Sequence, residues 1–138
     1  MRTVKDILKT KGSDVISIDV EQSVYEAVLL MDKNRIGSLV VTRGGELAGV
    51  MTERDYACKV IVKGKQSKST PVGEIMSGKL VVVNPGTTIN ECMALMTDKR
   101  IRHLPVLDNG TLVGLVSIGD VVKEVIDEQN FVIEQLES

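Results

Sequence analysis

The sequence predicts an α/β protein of two β-α-β-β-α repeats packed against each other by a pseudo-twofold. Three observations carry that prediction. The 138-residue chain aligns with itself at a shift of 65 residues, so that 15–61 falls on 80–126 without a gap. Short apolar strand-like runs alternate with segments of helical periodicity. Gly-Gly at 44–45 and Asn-Gly at 109–110 punctuate two runs of strand character as hairpin turns. A repeat of about 60 residues buries too little surface to be stable alone, which is why the two should share a fold.

The elements follow in order. A lead-in helix is expected at about 4–9 and again at about 71–77, the two matching at an offset of 68, with Pro71 at a first helical position. The apolar strands "VISI" and "LVVV" come next. Then a helix buries Val24, Ala27, Val28 and Met31 in one repeat and Ile89, Cys92, Met93 and Met96 in the other, at i, i+3, i+4, i+7 spacing. Ser23/Glu26 and Thr88/Glu91 are its capping boxes. The hairpins "SLVVTRGGELAGVM" and "HLPVLDNGTLVGLV" follow, and a closing helix, running from about Ile118 to Leu136 in the second copy. The repeats divide as 1–66 and 67–138, the second with the extended C-terminal helix, and the polar, basic "KGKQSKST" links them on the surface.

Bulk composition removes several function classes. With a net charge of −2, no Trp, one Phe and two Tyr, the chain lacks both the field and the stacking surface for nucleic acid. No apolar run is long enough to span a bilayer, and "MRTVKDILKTKG" lacks the apolar centre of a signal peptide, so a cytoplasmic, reduced setting is expected without membrane contact. Cys58 and Cys92 lie far apart, no metal-ligand spacing occurs, and Cys92 falls among core positions. The one histidine, the missing P-loop and the lack of a nucleophile–base pair argue against an enzyme.

Chemistry concentrates in a duplicated turn, "GVMTERD" at 49–55 and "GLVSIGD" at 114–120. Thr52/Asp55 and Ser117/Asp120 have capping-box spacing, and as caps they would do no more than start helices. The same groups suit a ligand. Free amides at a helix start favour phosphate, a hydroxyl can bond a phosphate or sugar oxygen, and a carboxylate one turn on can accept both hydrogen bonds of a cis-diol. Gly49 and Gly114 keep the preceding strand clear, and aliphatic side chains could sandwich an adenine. From the residues alone both readings stand.

The duplication, the lead-ins "VKDIL" and "VGEIM", the segment "KRIRHLPVLDNGTLVGLVSIGD" and both turns together resemble a tandem cystathionine-β-synthase (CBS) domain pair, or Bateman module, over essentially the whole chain. "TERDY", "SKST" and "RIRHLPV…VSIGDVV" resemble stand-alone CBS-pair proteins in particular. The resemblance implies a non-catalytic regulatory module that binds AMP, ADP or ATP, with NAD(H) or S-adenosylmethionine as further candidates. It would need no metal, and it would signal energy or redox state to a protein partner. It also implies a homodimer, for which the apolar C-terminal helix is a candidate surface. Carried over by position, Asp55 and Asp120 hold ribose hydroxyls, Thr52 and Ser117 contact phosphate or the sugar edge, and Val50 and Leu115 lie near the base. Thr3 and Thr70 match positions that complete the opposite cleft, each with a capping alternative. Arg102 and His103 stand where relatives contact phosphate, His103 with a charge that could vary near neutral pH. The first repeat has Gly37 and Ser38 there, which predicts unequal clefts. The family also allows Arg54 and Lys59 to reach phosphate, but on a helix surface they read as solvated charge, as do Lys63, Lys65 and Lys68 in the linker. The competing reading is a ligand-independent dimeric scaffold with vestigial clefts.

Overall fold

A computed structural model describes residues 1–137. The chain forms two compact units, Ile16–Leu80 and Met1–Val15 with Val81–Ser138. They do not coincide with the sequence repeats 1–66 and 67–138. The first lead-in helix, α1 (Val4–Lys11), belongs with the second repeat, and the second lead-in, α4 (Val72–Ile75), belongs with the first. The cause is burial: Val4 and Ile7 join the core of Val83, Ile89, Cys92, Met96, Leu104, Val106, Val116 and Val121, while Val72 and Ile75 join that of Ile18, Val24, Ala27, Met31, Leu39, Val41, Met51 and Val60.

In the unit Ile16–Leu80, β1 (Ser17–Asp19) pairs in parallel with β2 (Ser38–Arg43), which pairs antiparallel with β3 (Glu46–Thr52). Helix α2 (Val24–Asn34) crosses from β1 to β2, as a parallel pair requires. Its Ser23 cap accepts a hydrogen bond from the Glu26 amide at 3.1 Å. After β3 come α3 (Glu53–Tyr56) and a π-helical turn over Ala57–Ile61, where one regular helix was expected.

The other unit holds α1, α5 (Ile89–Lys99), the hairpin β4 (His103–Asp108) and β5 (Thr111–Ser117), and α6 (Ile118–Glu137). Both hairpins turn through successive residues at positive φ, Gly44 and Gly45 in one and Asn109 and Gly110 in the other, as the dipeptides predict. Their register shifts also match, between Val41 and Thr42 and between Val106 and Leu107.

Three expectations need correction. "LVVV" is not a strand; only Val83 bridges in parallel to Val106. Val40 donates its amide to Ile16 O at 3.3 Å, but the position 65 residues on is Pro105, which has no N–H to offer, so the equivalent ladder bond cannot form. Pro71 caps α4 from just outside, with ψ 145° in the extended region, so the helix starts one residue later. Cys92 lies fully buried in the core, and that burial pushes its thiol up to about 11. Met93, expected on the buried face, is 36 % exposed.

Candidate functional site

Each turn of the duplicated motif stands at a strand-to-helix junction. In the unit Ile16–Leu80 the Asp55 amide donates to Thr52 Oγ1 at 3.1 Å, while Asp55 Oδ2 accepts from the Thr52 amide at 2.9 Å and its hydroxyl at 3.1 Å. In the other unit the Asp120 amide donates to Ser117 Oγ at 3.1 Å and Asp120 Oδ2 accepts from the Ser117 amide at 2.8 Å. Both are therefore capping boxes, which leaves open whether the same carboxylates also meet a ligand.

A lysine adjoins each carboxylate, and its origin differs. Lys59, on the π-helical turn four residues past Asp55, lies 3.0 Å from Asp55 Oδ1 and donates to Ile75 O at 3.0 Å. Lys11, at the end of α1, donates to Asp120 Oδ2 at 2.7 Å and to Leu115 O at 2.9 Å. Lys59 is thus committed to contacts, where a purely solvated charge was expected. Its i, i+4 spacing from Asp55 was the available signal. Lys11 left no such signal, because only the exchange of lead-in helices brings it to the motif of the second repeat.

The two carboxylates differ as a result. Asp55 uses both oxygens, Oδ2 on Thr52 and Oδ1 on Lys59. Asp120 concentrates its bonds on Oδ2, and among the described residues no hydrogen bond ends on Oδ1. Burial alone would raise the Asp120 pKa, but bonds from Lys11 and the Ser117 amide outweigh it and hold the carboxyl below its ordinary value. Ionised and with an oxygen to spare, Asp120 can accept a hydroxyl.

The carbonyls beside the motif differ in the same sense. Val50, 7 % exposed, exchanges both backbone hydrogen bonds with Ser77, at 3.1 and 2.9 Å. Leu115 O is met instead by the Lys11 ammonium. The close seating of each lead-in shows in the glycines: a Cβ on Gly49 would stand 2.7 Å from Ser77 O, and one on Gly114 2.6 Å from Leu8 Cδ2.

His103 pairs in register with Ser117, which puts it beside the Asp120 turn, and Arg102 next to it is exposed and gives its carbonyl to the Ile118 amide at 2.9 Å. Burial, then Lys11, pushes the His103 pKa below its ordinary 6.5, with Arg102 adding and Asp120 opposing. At neutral pH His103 is therefore an uncharged donor or acceptor, and Lys11 and Arg102 are the cations of this turn. The unfolded imidazole gains its proton near pH 6.5 while the folded one stays neutral to lower pH. The associated stability is complete above that value and is lost as pH falls through the folded pKa. Urea unfolding from about pH 7 to 5 should show stability falling, with a smaller slope for His103→Gln. An unchanged slope would remove His103 as the cause.

Thr3 and Thr70 serve the fold. Thr3 caps α1, its amide donating to Asp6 Oδ2 at 2.9 Å, and Thr70, 5 % exposed, donates its hydroxyl to Gln66 O at 2.7 Å. Arg54 is exposed. In the linker Lys65 pairs with Glu74 at 3.2 Å and Lys68 lies 4.9 Å from the Tyr25 ring centre, so it is less free than a solvated loop. A cavity of about 440 Å³ lies in the unit Ile16–Leu80 between the end of α2 and the start of α3, with Gly37, Glu53 and Arg35 on its walls. The position counterpart to Gly37 in the other unit carries Arg102. Among the described residues no helix is long and apolar enough to cross a membrane, and no group of three His, Cys, Asp or Glu could hold a metal ion.

Comparison with known proteins matches the CBS domain family at residues 4–59 and 72–127. Over 143 aligned residues the chain is 44 % identical to the mitochondrial CBS domain-containing protein CBSX3 of Arabidopsis thaliana, covering 97 % of this chain and 69 % of that one. The solved structure of a CBS-domain protein from Burkholderia ambifaria superimposes with a TM-score of 0.88 at 50 % identity, covering 92 % of this chain and 96 % of the other. A hexameric CBS-CP12 protein from bloom-forming cyanobacteria superimposes with a TM-score of 0.79 at 31 % identity, over 88 % of this chain and 70 % of that one. Proteins of this kind are typically regulatory and often bind nucleotides.

Proposed function

Since the chain belongs to the CBS-domain family and carries two such domains in tandem, we propose that it is a non-catalytic adenine-nucleotide sensor. Its ligand is AMP, ADP or ATP, with NAD(H) or S-adenosylmethionine as alternatives, and it reports energy or redox state to a protein partner in the cytoplasm. The observation that carries this reading is the repeated carboxylate turn, above all Asp120, whose Oδ1 takes no hydrogen bond among the described residues, beside Lys11, Arg102 and His103. Asp55 and Asp120 take the ribose diol, Thr52 and Ser117 the sugar edge or phosphate, Val50 and Leu115 the flank of the base, and Arg102 and His103 phosphate. Thr3 and Thr70 keep acceptor capacity on their hydroxyls, while Thr70 donates to a ligand only by releasing Gln66 O. A ligand can bias the protein only by as much as its affinity differs between two states.

One feature favours a scaffold as the second reading. Along α6, Val122, Ile126, Phe131, Val132, Ile133 and Leu136 are about half or more exposed. Under either reading this helix is the proposed surface for a second copy or the regulated partner. Calorimetric titration of nucleotide-free protein with AMP, ATP, NADH and S-adenosylmethionine separates the two. Micromolar binding, lost in Asp55→Ala/Asp120→Ala, supports the sensor. Absence of heat with every ligand, together with an unchanged dimer, favours the scaffold.

A further inference from the structure

We propose that Lys11 sets the charge preference of the Asp120 site: it holds the Asp120 carboxylate in the free protein and passes to the phosphate of a phosphorylated nucleoside once the ligand's diol takes that carboxylate. The inference rests on the nucleotide reading and adds a residue outside the duplicated motif.

Lys11 satisfies two groups at once. Its ammonium bridges Asp120 Oδ2 at 2.7 Å and Leu115 O at 2.9 Å, the two acceptors at the end of β5 and the first turn of α6. At the equivalent place in the other unit the carbonyl of Val50 is held by the Ser77 backbone amide at 2.9 Å, a donor that cannot leave without opening the chain. A lysine can leave, because its compact charge sits on a flexible four-carbon stem with three donors. Lys11 is 38 % exposed and Asp120 22 %, so the pair is reachable by solvent and weakly worth keeping for its own sake. Its anchor is firm by contrast: Leu8, one turn earlier on α1, packs so closely on Gly114 that a Cβ there would stand 2.6 Å from Leu8 Cδ2. The stem therefore starts from a fixed point while the head group is free to turn.

Charge then decides what replaces what. One hydroxyl of a ribose diol can go to Oδ1, but the second competes with the ammonium for Oδ2, and a neutral nucleoside that displaces it gives it nothing in return. A phosphorylated one displaces the same ammonium and supplies an anion for it, beside Arg102, whose side chain is exposed, and His103 in register with Ser117. Lys11 thus penalises the first and rewards the second. At the Asp55 turn Lys59 makes a comparable bridge, to Asp55 Oδ1 and Ile75 O, but the hairpin there opens on Gly37 and Ser38 in place of Arg102 and His103, so a phosphate would find fewer partners beside it.

The test is calorimetric titration of adenosine, AMP and ATP into the full chain carrying Asp55→Ala, which isolates the Asp120 site, with and without Lys11→Met. ATP should weaken about tenfold or more, the size of a lost charge-assisted contact, while adenosine stays level or tightens by up to about fivefold. Lys11→Arg should keep the preference for ATP. If Lys11→Met weakens adenosine and ATP by the same factor, the lysine only fastens α1 to β5 and the proposal falls, while the nucleotide reading stands. If no probe binds in either background, although circular dichroism shows each variant folded, the Asp120 site takes no phosphorylated nucleoside and the proposal falls, while the reading at the Asp55 turn is judged by the titration of the unmutated protein.

Discussion

Asp120→Asn is expected to leave the protein folded and to weaken nucleotide binding at its turn by about 10- to 100-fold, the loss of a hydrogen bond to a charged group. The asparagine carbonyl can still accept from the Ser117 amide, now 2.8 Å from the carboxylate, so the cap survives. What disappears is the charge that draws Lys11 and receives hydroxyls. Asp120→Ala goes further and removes the side-chain half of the capping box, the bond to the Ser117 amide, at about 1 kcal/mol of stability, while Ser117 Oγ still accepts from the residue-120 amide. The two substitutions therefore divide the roles that the motif combines: Ala alone should shift the urea midpoint clearly, whereas both should weaken the ligand. Titration of each in the Asp55→Ala background reads this directly. Binding by Asp120→Asn as tight as that of the parent would return the turn to capping and nothing more.

Leu104→Ala should destabilise the protein by about 3 kcal/mol, the middle of the range for emptying a buried leucine site. Leu104 is fully buried and lies opposite Val116 on β5, between His103 and Pro105. A loss of that size is a large part of the roughly 5–15 kcal/mol that holds a domain folded. Because its neighbours in register present Leu115 and Ser117, the cavity should also loosen the site. Leu29→Ala on α2, where the side chain is 51 % exposed, is the control and should stay within about 0.5 kcal/mol. Urea denaturation followed by circular dichroism measures both. A cost below about 1 kcal/mol for Leu104 would contradict its place in the core.

Much of the architecture was legible because it depends on local chemistry repeated twice. The helices α2 and α5 start at Ser23 and Thr88 and end alike, at Arg35 and Arg100, each in the left-handed region at φ 54°. The hairpin turns follow from Gly-Gly and Asn-Gly. Non-local effects escaped. The disappearance of "LVVV" as a strand depends on a proline in its partner, Pro105, a residue that reads innocuously within its own hairpin. At the candidate site the carboxylates and hydroxyls were visible from their spacing, but their cations were not. Lys11 lies 109 positions from Asp120 and meets it only through packing of α1, which no periodicity along the chain can express.

The out-of-phase relation between repeats and compact units reaches back to how such a chain can arise and how it can be divided. A fragment of residues 67–138 contains a whole repeat but lacks Val4 and Ile7, which its core requires. A circularly permuted chain beginning at 81, running to 138 and rejoined to 1–15, would hold every member of that core in one piece. A chain with a single repeat would need a second copy to supply its lead-in helix, because each core takes Val4 and Ile7, or Val72 and Ile75, from the other repeat. Heredity thus counts this protein in one set of segments and folding counts it in another.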